Sequence, residues 1–152
     1  MGLQTIESQR ITEISKAAVE LRRRECQDVS EAHSESHLGN VARLGVAVGT
    51  LYGYSPSELL LVHTAGRFHD LIRSSTEDPT ANDDGASANT AVYILGKENR
   101  RGRLQTSDKG REAIRYAIAN HAEAPEWMLD PKRRNTLPES LPDKIRFALF
   151  VA

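Results

Sequence analysis

The chain carries five histidines, and all of them fall between His33 and His121. His33 and His37 stand four residues apart, with Ser34, Glu35 and Ser36 between them. On a helix this spacing puts both imidazoles on one face, one turn apart. Such a pair can share a metal, or one ring can bind while the other supports it. Two surface histidines near a helix start have the same spacing, so the pair does not decide between the two.

His69-Asp70 follows the apolar run Leu59 to Phe68 directly and precedes a polar stretch. Ionisable groups at a buried helix end need partners, because an unpaired buried charge is expensive. A divalent cation would satisfy both side chains. Neighbouring residues on a helix point about 100° apart, so a shared ion would lie off the helix end and take ligands from other helices. A hydrogen bond between Asp and His that tidies the helix terminus explains the dipeptide by itself equally well.

His121 and the pair Asp83-Asp84 have two readings each, and His63 has one. His121 ends the segment Ile118-Ala119-Asn120-His121, where a protonated imidazole would favour the helix dipole or a neutral one could serve a site. Asp83-Asp84 precede a small-residue segment containing Ser87, and suit either helix capping or a carboxylate facing a metal as ligand or general base. His63 lies six residues before His69, off its face, and reads as a packed or half-exposed core histidine. No Gly-rich loop has phosphate-cradling spacing, no Ser sits in a Gly-x-Ser-x-Gly turn, and Cys26 follows a charged helix with no pocket implied.

These side chains have to be positioned by helices. Thr5 to Cys26 places Ile6, Ile11, Ile14, Ala17, Ala18 and Leu21 mostly at three- and four-residue steps, with Thr5 or Ser8 as cap. A second helix is expected from Ser34 to Tyr52, with Val41, Leu44, Val48 and Leu51 inward and Gly53 as its stop. Ser55-Pro56-Ser57-Glu58 reads as a cap with an early proline, starting a third helix to about Ile72 that is apolar nearly all round and hence central. Ser74 to Asp84 and Glu98 to Asp108 read as loops. Gly85 to Lys97 and Lys109 to His121 read as helices, the latter capped by Ser107 or Asp108. Pro125, Pro131, Pro138 and Pro142 punctuate an irregular stretch before a last helix from about Leu141. That helix is apolar and has no stop signal by Ala152, so the pattern is expected to run on past it. Strand signals are weak. The expected fold is all-α, a bundle of about six helices in a single domain spanning 1–152.

Composition narrows the function classes. A chain of 152 residues, 39% hydrophobic and 27% charged, is an ordinary globular composition. A net charge of −1 gives no global field toward nucleic acid or anionic lipid. The basic clusters Arg22-Arg23-Arg24, Arg100-Arg101 with Arg103, and Lys132-Arg133-Arg134 are short and suit solvated faces. No DNA or membrane partner is expected. One cysteine rules out an intrachain disulfide framework and suits a reducing cytoplasm, and no signal peptide is visible.

Taken in order, the motifs resemble the HD-domain superfamily of metal-dependent phosphohydrolases. Its pattern is a first His, an adjacent His-Asp about thirty residues on, and a distant Asp on a late helix. His37-Leu38-Gly39-Asn40-Val41 matches the first element, and His33 stands where a longer variant has another His. Ala65-Gly66-Arg67-Phe68-His69-Asp70 is similar to the apolar helix that ends in His-Asp. Asp83 or Asp84 stands about where many members carry a further His, and Ala117 to His121 looks like the helix that ends in a His. Ala148 to Ala152 looks like the helix that ends in Ala-Asp, whose Asp would be the next residue.

The resemblance covers roughly His33 to Ala152, with 1–28 as an N-terminal helical stretch. It implies His37, His69 and Asp70 as metal ligands, with Asp84 and His121 positioning phosphate or relaying a proton. Mixed imidazole and carboxylate ligands suit a divalent ion, among them Mn, Fe, Ni, Co, Zn or Mg. The implied substrate is a small-molecule phosphomonoester or phosphodiester, nucleotides included. The rival expectation is a catalytically incomplete helical module with a regulatory role or one in homo-oligomer assembly, its first helix pairing with a partner.

Overall fold

The computed structural model describes residues 5–26, 35–71, 84–132 and 137–152, the side chains of 22–26 excepted. Among these residues the chain forms seven helices and no strand. They are α1 (Ile6–Cys26), α2 (Glu35–Leu51), α3 (Pro56–Phe68), α4 (Asp84–Arg100), α5 (Asp108–Asn120), α6 (Glu126–Leu129) and α7 (Leu141–Val151). None is long and apolar enough to cross a membrane.

Helix starts follow local chemistry. Ser55 Oγ accepts from Glu58 N at 3.2 Å while Ser55 N donates to Glu58 Oε1 at 2.8 Å, a reciprocal capping box with Pro56 in the first turn. Ser107, Ser140 and Thr5 cap α5, α7 and α1 in the same way, each accepting from the N–H three residues on. α2 stops at Gly53, whose φ of 77° suits only a residue without Cβ.

α3 is central, packing against α1, α2, α4, α5 and α7. Val62, Ala65 and Phe68 of α3 are fully buried, and Ala91, Leu95, Ile114, Ile118, Ile145 and Ala148 close the core around them.

Three expectations are corrected. The inward face of α2 is Leu38, Val41, Ala42, Gly45, Val46 and Gly49, while Leu44 and Leu51 are exposed. The reason is proximity: a Cβ on Gly66 would lie 2.6 Å from Ala42 Cα, so α2 approaches α3 closely at its small residues, and Leu44 and Leu51 fall on its outer side. On α1, Ile11 and Ile14 are buried, but Ile6, Ala17 and Leu21 are exposed and Ser8 and Ser15 are buried. Ser15 faces a polar group of α3 that needs a partner, and the Ser8 hydroxyl turns back to Thr5 O at 2.8 Å. Ser15 Oγ accepts from Arg67 Nε at 2.6 Å, and Ser8 O lies 3.3 Å from His63 Nε2. The proline-rich stretch holds one added helical turn, α6, placed by Trp127 packing on Phe147.

His63 is a core histidine, as expected. Its Nε2 also meets Thr12 Oγ1 at 3.1 Å. Burial, then the nearby Arg67 charge, push its pKa from 6.5 down to about 4, against a hydrogen bond to Ser8 that raises it. The unfolded chain therefore binds a proton on this ring between pH 6.5 and about 4 when the fold does not. The His63 contribution to stability is thus lost as pH falls through that window. Urea melts of His63→Gln should show a shallower loss of stability over that range than the wild type.

The α2–α3 contact makes a second expectation. Gly66→Ala should cost about 1–3 kcal/mol, because the new methyl has backbone against it. Gly96→Ala in α4, whose Cβ would meet only the Arg100 side chain, should gain about 0.5–1 kcal/mol. Chemical denaturation of the two variants measures both.

Candidate metal centre

α3 and α5 end at the same place with the same device. The last carbonyls of a helix have no helical partner. His69 caps α3, and its Nδ1 donates to Gly66 O at 2.8 Å. His121 caps α5, and its Nδ1 donates to Ile118 O at 2.6 Å. Each bond places the proton on Nδ1 and turns Nε2 outward, the arrangement that a backbone carbonyl gives a metal-ligating histidine.

The outward nitrogens converge on Asp70, just past the end of α3. His69 Nε2 lies 2.9 Å from Asp70 Oδ2, and His37 Nε2, from the first turn of α2, lies 3.1 Å from the same oxygen. His121 Nε2 stands 3.7 Å from Asp70 Oδ1. The rings of His37 and His69 are 5.3 Å apart and those of His69 and His121 4.9 Å apart. Asp84, at the start of α4, completes a second group with Asp70 and His121 whose ligand atoms all lie within 4.8 Å. All five expected site residues thus meet, in two groups that share Asp70. His33 and Asp83 lie outside the described residues, and so do Ser34, Ile72, all but Asp84 of the stretch expected as a loop from Ser74 to Asp84, Arg133 and Arg134.

α3 ends at Phe68; His69 caps it at φ −64°, ψ −31°, and Asp70 follows in the same turn, where the adjacent side chains meet with His69 Nε2 2.9 Å from Asp70 Oδ2.

The residues fit a divalent cation. With Nδ1 protonated, a neutral His69 or His121 presents a lone pair at Nε2, and the carboxylate presents lone pairs back. Only positive charge reconciles the two, as protons on the rings or as a metal ion. Asp70 Oδ1 is buried and accepts no hydrogen bond from the described residues. Burial pushes the Asp70 carboxyl up, but the His69 hydrogen bond and the charges of His69, His121 and His37 outweigh it, and its pKa falls below the ordinary value. Two imidazoles and a carboxylate form a donor set that divalent transition metals accept. The site is open at one side: the His37 side chain is 35% exposed, that of His69 4%.

Two buried arginines were missed in the sequence reading. Arg67 joins α3 to α1 through Ser15 and to the first turn of α2 through Glu35 Oε1 at 2.7 Å, two residues before His37. Arg146 reaches from α7 to the end of α5. The available signal was an arginine inside an apolar run, Ala65 to Phe68 and Ile145 to Leu149.

The HD-domain family model matches residues 33–148. No curated protein and no solved structure matches the chain. The match begins beyond α1 and takes in every residue gathered at the site. The chain belongs to the HD-domain superfamily, whose members are generally metal-dependent phosphohydrolases.

Proposed function

We propose that this chain is a metal-dependent phosphohydrolase acting on a small-molecule phosphomonoester or phosphodiester, nucleotides among the candidates. One observation carries the reading. Three imidazoles surround one buried carboxylate, and an oxygen of that carboxylate takes no hydrogen bond from the described residues.

On this reading His37, His69 and Asp70 hold the ion. A divalent ion bound there supplies charge that polarises a phosphoryl oxygen and makes water a better nucleophile at neutral pH. Everything else falls to the chain itself. Gly66 O and Ile118 O hold the His69 and His121 rings at fixed orientation. Asp84, half-buried at the start of α4, takes the proton from the attacking water. His121, as an imidazolium with both ring nitrogens protonated, hydrogen-bonds the phosphoryl group through Nε2, gives that proton to the leaving oxygen and regains one from Asp84 for the next turnover. The half-open side at His37 admits a small phosphate ester. A net charge of −1 gives no field for a nucleic-acid backbone.

The test is hydrolysis of an aryl phosphomonoester, an aryl phosphodiester and nucleoside monophosphates with Mn, Co, Ni, Zn or Mg added. The wild type should turn over at least one class, and chelator should abolish it. Asp84→Asn and His121→Gln should each lower kcat by about 10²–10⁴-fold, the usual worth of a proton-transfer group. His69→Ala should remove activity at every metal tried. A folded wild type inactive under all these conditions would sink the proposal and favour a non-catalytic module.

A further inference from the structure

We infer that Arg146 is a positioning residue that sets His121 in the site by clamping the end of α5. Its effect on turnover rests on the hydrolase reading; its effect on geometry does not.

Arg146 lies in the buried run Ile145 to Leu149 and is only 8% exposed. A guanidinium keeps its charge, and burying it unpaired is costly, so its donors must have acceptors. They do. Nε donates to Asn120 O at 3.1 Å, Nη2 to Glu123 O at 3.4 Å and Nη1 to the Tyr116 hydroxyl at 3.3 Å. The two carbonyls belong to the residue before His121 and to the residue two after it. One rigid fork thus spans the turn that carries the imidazole.

Elsewhere that turn would need another anchor. α2 ends on a glycine with positive φ, but His121 remains in the helical region at φ −69°, ψ −26°, with no glycine after it before Pro125. The last carbonyls of α5 lack partners four residues on, Asn120 O taking a 3.4 Å bond from Glu123 N in the turn instead, and they carry the negative end of the helix dipole. A fixed cation satisfies both needs. His69 has less need of such help, since its side chain is 4% exposed against 13% for His121. The three donor nitrogens of Arg146 that make these bonds all face α5, so it acts through His121. A lysine could not replace it: a single ammonium cannot reproduce the planar fork.

The test reads ring contacts by NMR in the metal-free protein, for Arg146→Lys, Arg146→Met and Tyr116→Phe. In the wild type, nuclear Overhauser contacts should link His69 to His121 and His37 to His69, whose centroids are 4.9 and 5.3 Å apart. Both Arg146 variants should keep the His37–His69 contact and lose most of the His69–His121 contact. Tyr116→Phe, which removes one acceptor only, should weaken the latter partly. In the phosphoester assay Arg146→Lys should lower kcat about 10–100-fold, the usual effect of a residue that orients a neighbouring group of a metal site, with KM within about twofold.

An unchanged His69–His121 contact in Arg146→Lys would overturn the inference. So would its absence in the wild type, or equal loss of both contacts, which marks a general structural role. If Arg146→Met does not fold, Arg146→Lys and Tyr116→Phe decide. A wild type without turnover but with the expected ring contacts would count against the hydrolase reading and leave the positioning role standing.

Discussion

A carboxylate taken out of water has to be met by positive charge or by donors, and Asp70 is such a carboxylate, only 5% exposed. The described structure surrounds it with three imidazoles from three different helices. Two of these rings have already committed their Nδ1 protons to backbone carbonyls. What they turn toward Asp70 is therefore a nitrogen that fits the carboxylate only with a proton or a metal between them. That requirement ties the ends of α3 and α5 to the first turn of α2.

The rest of the bundle can be understood as the means of meeting it. α3 must present His69 and Asp70 at its C-terminal end, so its start is held by a capping box and its length is covered by five other helices. α2 must bring His37 within reach, and it does so by lying close against α3 where Ala42 meets Gly66. Arg67 fastens the first turn of α2 to α3 and α1, and Arg146 fastens the last turn of α5 to α7. Both arginines are buried and both lie within a few residues, in sequence or space, of a site histidine. Charge is thus used inside this fold where geometry matters most. That agrees with the general finding that groups supporting ligands matter nearly as much as the ligands.

Features with local causes were legible in the sequence. Ser55 with Glu58, Ser107 before α5 and Gly53 after α2 act through neighbours a few residues away, and each stands where expected. The all-α fold followed from the helical period, and the gathering of His37, His69, Asp70, Asp84 and His121 was an expectation of the family resemblance, since the residues by themselves left Asp84 and His121 equally suited to helix ends. What was hidden depends on contacts between distant segments. Leu44 and Leu51 looked inward because apolar size was weighed, whereas close approach at Gly66 rewards small residues. The burial of Ser15 had no local signal, because its partner Arg67 lies more than fifty positions away. The Arg146 clamp uses backbone carbonyls as acceptors, and a residue list does not display those.

The most direct test of the metal centre is anomalous diffraction from crystals grown with Mn, collected on both sides of its absorption edge. The expected result is a peak roughly 2.0–2.3 Å from the Nε2 atoms of His37 and His69 and from an Asp70 carboxylate oxygen, the usual range for nitrogen and oxygen ligands of a divalent ion. Crystals that show no peak there, with these side chains ordered and hydrogen-bonded only to one another, would contradict it.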